Sequence, residues 1–336
     1  MSQYNAPRRG SMAYYPRVRA KKETPSMRAE GTEKKALSFL AYKVGMVQAV
    51  GKNTHKASPS FGQEVVVPAT VLACPPLKVF GLRAYTKGEI GVQVLSDVLA
   101  ENVDKELLRK INNFKKPSQK KSERRETKKA EDYYTLEDFE KELADIEYFT
   151  LLVHTQPKNI DLKKTPDVSE INIGGTKEEQ LAYGKEKLGK EVAFDEIFKE
   201  KEFLDVKAVT SGKGFQGVIK RFNVRSLRPK NKRVRVVGSI GPWHPHTVMF
   251  SVARPGQMGY QCRTETNKKV ILISEKVEEV NPSNGFCGYG NVKGKFALIY
   301  GSLPGPAKRC VALRKGTRPE LKSGLHIDSV TSIVRK

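Results

Sequence analysis

The spacing of apolar and polar positions changes three times along the chain. Residues 1–35 hold little apolar content and are interrupted by Pro7, Pro16 and Pro25. From Ala36 come short β-rich runs, LSFLAYKVGMVQAV, EVVVPATVLA, LKVFGLRAY and IGVQVL, broken by Gly, Pro and Asn. That punctuation predicts the strands of an antiparallel barrel or sandwich. Further on a helical period appears. Leu136, Phe139, Leu143 and Ile146 share one helical face within EDYYTLEDFEKELADIEYF, and Thr135 can cap with Asp138 at N3, so an amphipathic helix is expected there. A strand is expected at 148–155 (YFTLLVHT), with His154 in a structural role, and further helices in KEEQLAYGKEKLGKE and FDEIFKE. Strand texture returns in Phe203–Thr210, KKVILISEKVEEV, KFALIYGSLPG and RCVALRK. The fold class that fits is mainly β with an α/β insert. Residues 1–35 form an N-terminal extension, 36–79 and 203–336 one β domain, and 80–202 the insert.

Charge adds a partner to this outline. Lys and Arg total 61 against 37 acids, a net +24 with a pI near 9.8. Solubility needs far less, whereas a polyanion rewards such an excess through counterion release. The cations are clustered. Up to Lys22 there are six and no acid, and Tyr4, Tyr14 and Tyr15 are interleaved with Arg8, Arg9, Arg17 and Arg19. Alone in solution this segment should be disordered; on RNA its rings can stack and its arginines can meet phosphates. Residues 105–129 carry eleven cations and three acids, the composition of a mobile segment facing solvent or RNA. The acidic helix that follows, with eight acids and one Lys, should turn away from RNA or meet basic neighbours. Arg314, Lys315, Arg318 and Lys322 make a further basic cluster.

Hydrophobic residues make up 38% and mean hydropathy is −0.51, so the core is modest for the length. No run of 18 apolar residues suggests a membrane span, and MSQYNAPRRGSMAYYPRVRAKK lacks the apolar middle of a signal peptide. Cys74, Cys262, Cys287 and Cys310 are scattered without a C-x-x-C, which fits a cytosolic chain with incidental thiols.

Two stretches invite a chemical reading. SGKGFQGVIKRF contains Gly212, Gly214 and Gly217 in the G-x-G-x-x-G spacing. A dinucleotide turn would also need a helix opening at the third glycine and an acid about 20 residues further on. No helix of useful length fits before Arg228-Pro229, and from Val206 to Thr264 there is no Asp or Glu. The same stretch holds Lys207, Lys213, Lys220, Arg221, Arg225, Arg228, Lys230, Lys232, Arg233, Arg235, Arg254 and Arg263. Cations suit a phosphate chain, so the glycines read as a tight turn close to RNA rather than a nucleotide cradle. The second stretch, GSIGPWHPHTVMFSVARPGQMGYQCR, holds the single tryptophan, Trp243, beside His244 and His246. A Trp framed by Pro and Gly is poorly placed for a core and suits an exposed stacking platform. His244, His246 and Cys262 lack a fourth ligand for a structural zinc site. No nucleophile–base pair or paired carboxylates stand out, so neither an enzyme nor a cofactor is expected. A DNA-architectural role fits less well than folded RNA, because irregular tails with Tyr and Trp suit RNA cavities.

These residues carry a resemblance. GFQGVIKRF, then a basic loop, then GSIGPWHPHTVMFSVARPGQMGYQCRTETNKKV resemble the signature of the universal large-subunit ribosomal protein L-three family. PRRGSMAYYPRVRAKKETPS, LVHTQP and GSLPGPAKRCVALRK are similar to the same family in the same order. The long insert at 80–202 resembles archaeal and eukaryotic members, and the overall length is similar to archaeal ones. The resemblance implies a six-stranded β-barrel of the translation-protein type. Its basic N-terminal extension and a long loop at 206–264 would thread into 23S-type ribosomal RNA, beside neighbouring ribosomal proteins, in the cytoplasm. It makes the Trp243 loop a finger toward the peptidyl transferase centre, with Arg221–Arg235 as its basic flank. The implied RNA-binding residues are Arg8, Arg9, Arg17, Arg19, Lys21, Lys213, Lys220, Arg221, Arg225, Arg228, Lys230, Lys232, Arg233, Arg235, Trp243, His244, His246, Arg254, Arg263, Lys308 and Arg309. It implies no membrane and no small-molecule substrate. One departure is visible: eukaryotic members usually carry His where Asn231 stands and read W-H-P-A-H, where this chain has Trp243-His-Pro-His246-Thr247.

Overall fold

The computed structural model describes residues 7–111, 134–318 and 327–334. Tyr4, Lys322 and residues 112–129 of the basic segment lie outside them. Fourteen strands are described in chain order: β1 Ser38–Asn53, β2 Glu64–Ala73, β3 Leu77–Gly88, β4 Gly91–Leu99, β5 Ile146–Thr155, β6 Val168–Asn172, β7 Glu191–Val192, β8 Phe203–Val209, β9 Phe215–Gln216, β10 Gly256–Gln257, β11 Cys262–Ser274, β12 Phe296–Tyr300, β13 Cys310–Lys315 and β14 Ile327–Val334. The helices are short: α1 Leu136–Lys141, α2 Lys177–Lys187, α3 Phe194–Ile197 and α4 Val218–Phe222. The chain divides into two compact units, Met1–Lys22 with Val209–Arg263, and Glu23–Ala208 with Thr264–Lys336.

The larger unit is mainly β. Strands β1, β2, β12, β11, β8 and β13 pair in that order, and β13 pairs back onto β1, so the ladder closes into a ring. Strand β14 pairs with the far end of β1, on the edge opposite β2. A second sheet runs β4-β3-β5-β6, with β7 on β3. Residues 38–42 of β1 are buried at every position, which requires cover on both faces. Phe39 meets Phe194 of α3 edge-to-face at 5.3 Å, and Leu37 donates to the Asn172 carbonyl beside β6. One hydrophobic cluster therefore runs from the ring (Tyr42, Val71, Leu298, Leu313) into the second sheet (Leu82, Phe149, Val153). Burial of each such large side chain contributes roughly 1.5–3 kcal/mol. Helix α2 lies close on the second sheet: Gly184 approaches Leu82 so nearly that an added Cβ would stand 2.6 Å from Leu82 Cδ1.

Two sequence expectations are corrected. The amphipathic helix starts as expected, with Thr135 and Asp138 forming a capping box, but it ends at Lys141. Ile146, expected on its apolar face, opens β5, where it is fully buried and opposite Thr86. A buried ladder position outweighs one more helical turn, since propensity is the weaker term. The run KKVILISEKVEEV is strand only to Ser274, and Val277–Glu279 form a 3-10 turn. The acidic helix does meet a basic neighbour, Glu140 pairing with Lys185 of α2.

Buried polar groups are tied into networks. Tyr42 donates to Asp167 at 2.6 Å, and its hydroxyl lies 2.7 Å from that of Thr155. His154 is buried, with Nδ1 3.1 Å from the Thr155 carbonyl, and burial lowers its pKa. Asp205 is fully buried and accepts from Arg314 Nε at 3.3 Å, Arg314 Nη2 at 3.1 Å, Thr317 Oγ1 at 3.2 Å and the Asn267 amide at 3.3 Å. Arg314 also donates to the Arg28 carbonyl at 2.7 Å. One carboxylate thus fastens β8, β11, β13 and the strap around residue 28. Asp205→Ala leaves Arg314 without its counterion and is expected to cost about 3 kcal/mol, the low end for breaking a buried pair because Arg314 is partly exposed. Urea unfolding of the variant measures it, and a loss under about 0.5 kcal/mol, the size of an ordinary surface change, would reject this role.

Glu33 gives the larger unit an acid-sensitive tie. It accepts from Lys315 at 2.7 Å and stands 2.6 Å from Lys35, and these two cations, Lys315 foremost, hold its carboxyl down to about 2. A depressed carboxylate stabilises the fold above the unfolded value near 4.5 and loses that contribution as pH falls toward about 2. Its side chain is 45% exposed, so screening keeps the effect below about 1 kcal/mol. Glu33→Gln is expected to lower the urea midpoint at about pH 6 and to match the parent protein at about pH 2. A gap that persists unchanged at the lower pH would contradict the assignment.

Candidate nucleic-acid interface

The smaller unit contains no Asp or Glu and seventeen cations, six in its first segment and eleven in its second. Its base is an antiparallel stem. Thr210 donates to the Gln261 carbonyl at 3.0 Å, Lys213 to Met258 at 3.0 Å, and Met258 to Gly214 at 2.9 Å. Strands β9 and β10 continue it, Phe215 opposite Gln257. Gly217 then caps α4, which spans only five residues and ends at Asn223 in the left-handed region. Of the three glycines in the G-x-G-x-x-G spacing, only Gly214 has a positive φ, +66°. A glycine outside that pattern is under tighter constraint: Gly259 has φ +69°, and an added Cβ would stand 2.1 Å from the Ser211 carbonyl oxygen.

Like charges fold together here by donating to carbonyls and stacking on rings. Arg221 gives Nε to the Gln257 carbonyl at 3.0 Å, Nη1 to Arg254 at 2.9 Å and Nη2 to Arg17 at 3.3 Å. In return Arg17 Nη1 donates to the Arg221 carbonyl at 3.2 Å, and its guanidinium lies 4.3 Å from the Phe222 ring centre. Burial foremost, and then the nearby Arg17 charge, lower the pKa of both Arg221 and Arg263. Arg19 sits over Tyr260 at 4.9 Å and Arg263 over Tyr14 at 4.8 Å. Tyr15 meets Phe250 edge-on at 5.9 Å, Ala20 donates to the Tyr260 carbonyl at 2.8 Å, and Arg8 reaches the Ser251 carbonyl. The N-terminal segment and the long loop are thus cross-bonded into one unit.

The remaining cations face outward. Leu227 donates to the Val234 carbonyl at 3.0 Å and closes a tight loop, on which Arg228, Lys230, Lys232 and Arg233 are exposed, as are Arg225 and Arg235 beside it. Arg9, Arg19, Lys21, Lys213, Lys220 and Arg254 are exposed too, whereas Arg17, Arg221 and Arg263 are half-buried. Trp243 is 81% exposed, which removes it from any core. His246 lies 6.2 Å from it and 4.6 Å from His244, ring to ring. Sequence reasoning missed two further exposed apolar side chains of this unit, Phe250 at 72% and Phe215 at 76%. The run VMF in an otherwise polar segment was the available signal. Among the described residues no group of three or more His, Cys, Asp or Glu is arranged to hold a metal, and no helix is long and apolar enough to cross a membrane.

Lys308 and Arg309 belong to the larger unit. Lys308, at φ +69°, donates its amide to the Lys43 carbonyl at 2.7 Å, and Lys43 donates its own to Arg309 at 3.0 Å. Lys43 Nζ caps the Leu303 and Gly305 carbonyls at 2.6 and 2.9 Å. That fastening leaves Lys308 exposed and Arg309 half-buried, 3.7 Å from Glu23.

An acid-free unit that spends some arginines on its own backbone and turns the rest outward defines a basic β protein equipped for a polyanion. The family model for Ribosomal protein L3 matches residues 1–331. The chain is 44% identical over 332 residues to the large ribosomal subunit protein uL3 of Methanobrevibacter smithii, covering 96% of this chain and 95% of that one. It is 44% identical over 324 residues to uL3 of Methanocaldococcus jannaschii (94% and 92% covered) and 42% over 341 residues to uL3 of Archaeoglobus fulgidus (98% and 96%). This chain belongs to the ribosomal protein L3 family.

The two classes of arginine should separate experimentally. Arg221→Gln removes the donors to three carbonyls and is expected to loosen the stem by roughly 1–3 kcal/mol. Limited proteolysis within 223–255 should accelerate several-fold, while Arg225→Gln leaves the rate unchanged. Equal rates for the two variants would refute the distinction.

Proposed function

We propose that this chain is a structural, non-enzymatic component of the large ribosomal subunit in the cytoplasm, bound to 23S-type ribosomal RNA and flanked by other ribosomal proteins. The observation that carries the reading is the acid-free unit with its outward cations, in a chain of this family. Phosphates fall to the exposed set: Arg8, Arg9, Arg19, Lys21, Lys213, Lys220, Arg225, Arg228, Lys230, Lys232, Arg233, Arg235, Arg254 and Lys308. Arg17, Arg221, Arg263 and Arg309 contribute chiefly by shaping the backbone that presents them. Gly212, Gly214 and Gly217 keep the turn slim where RNA passes. Trp243, with His244 and His246, forms the tip of a finger directed at the peptidyl transferase centre and stacks on a base. The ring of six strands serves as the translation-type β-barrel built from 36–79 and 203–336, with 80–202 as its insert and 1–35 as its extension.

The test is Trp243→Ala in tagged protein. The exposed ring should leave the melting temperature of the isolated chain unchanged, because surface substitutions cost within about 0.5 kcal/mol. In sucrose gradients the variant should still sediment with large subunits, held by its many phosphate contacts, while loss of stacking worth on the order of 1–3 kcal/mol loosens the tip and impairs peptide transfer. Absence of the parent chain from large subunits would overturn the reading altogether. Normal peptide transfer by variant subunits would overturn the finger assignment alone.

A further inference from the structure

Around the link between β5 and β6 lies a cation cluster of which the reading above uses only Lys308. Residues 156–166, QPKNIDLKKTP, link β5 to β6 and are rigidly seated. Pro157 and Pro166 are buried near either end, and Ile160 is 5% exposed within the core. Leu162 donates to the Pro157 carbonyl at 3.0 Å, and Asp161 turns the chain at φ +53°. Lys158, Lys163 and Lys164 are left exposed. On one side the loop borders a cavity of about 600 Å³ shared with Arg109; on the other it borders one of about 300 Å³ shared with Lys293 and Lys308. Asp161 and Leu162 line both, so the loop stands between two cation-lined cavities.

Charge around the loop is only partly balanced. Glu106 serves two cations, Lys158 at 2.9 Å and Arg109 at 2.7 Å, which pull its pKa down with Lys158 foremost. Asp161 serves Lys293 at 2.5 Å, and Lys163 is committed to Asp167 at 2.5 Å. The excess rests on the Glu106 pair and on Lys164 and Lys308. Surplus cations seated around buried prolines and an isoleucine complement an extended polyanion, and an RNA backbone supplies one phosphate per nucleotide along such a surface.

We propose that Arg109, Lys158, Lys164, Lys293 and Lys308 form a second RNA-backbone track, by which the larger unit grips phosphates of the large-subunit RNA independently of the finger. This rests on the ribosomal reading, deepening it with a contact surface that the smaller unit does not supply.

The test compares the full chain with an Arg109→Gln, Lys164→Gln, Lys308→Asn variant for binding to protein-free large-subunit RNA across a salt series. Asn at 308 tolerates the left-handed backbone, and an unchanged melting temperature verifies folding. The expected result is weaker binding with the log–log salt slope reduced by roughly two to three, about one per lost phosphate contact by analogy with duplex nucleic acid. A parallel variant lacking Arg225, Lys230, Lys232 and Arg233 reports the smaller unit alone. If the parent chain binds and that variant loses slope while the track variant does not, the track is wrong and the ribosomal reading stands, including where the track variant instead fails to retain a neighbouring protein. If the parent chain shows no salt-dependent RNA binding, the ribosomal reading itself fails.

Discussion

Arg17 and Arg221 each donate to the other's carbonyl, a contact between two like charges with no carboxylate in their unit to balance them. Coulomb repulsion alone would push such groups apart. They stay together because a guanidinium is weakly hydrated and planar, so carbonyl oxygens and an aromatic face can replace its water. Arg221 meets three carbonyls and Arg17 lies on Phe222. The exchange ties residues from the start of the chain to residues two hundred positions later, and the stem, α4 and the basic loop are arranged around it. A lysine at either position would offer a compact, strongly hydrated charge and could not bridge the same acceptors.

This constraint divides the cations into two kinds. Arg17, Arg221 and Arg263, half-buried on carbonyls or rings, become part of the fold, and burial pushes the pKa values of Arg221 and Arg263 down. Those left over are exposed and repel one another until a polyanion neutralises them. Such a surface gains stability when its partner binds, through released counterions rather than through shape alone. The same division recurs in the larger unit. Lys43 is taken up by the Leu303 and Gly305 carbonyls, while Lys308, held by backbone bonds to Lys43, stays outside.

The ring of strands works on a different principle. Strand β1 pairs with β2 along most of its length on one edge, and on the other with β13 at its beginning and β14 at its end. Both faces of its first half are covered, one hydrophobic cluster serves both sheets, and buried acids such as Asp205 and Asp167 are fully engaged. Acids are spent as internal fasteners in the larger unit and are absent from the smaller one. That separation of charge by unit supports reading one as scaffold and the other as the surface offered to RNA.

By itself the sequence determined a great deal, because its signals were local. Strand runs broken by Gly and Pro, the Thr135 capping box, the acid-free stretch and the Pro–Gly frame around Trp243 act over a few residues and survive any tertiary context. The failure of the G-x-G-x-x-G reading was local too, since only a five-residue helix and no acid follow. Tertiary structure decided what depended on partners far along the chain. Ile146 left its helix because a ladder position opposite Thr86 was worth more than another turn. Arg17 and Arg221 look in sequence like the arginines around them, and only contact across the fold makes them structural. Gly259 is ordinary until the Ser211 carbonyl stands where its side chain would be. The closure of β13 onto β1 likewise joins strands that begin and end the domain. Periodicity records which face of an element is apolar; it carries no record of which distant backbone will cover that face.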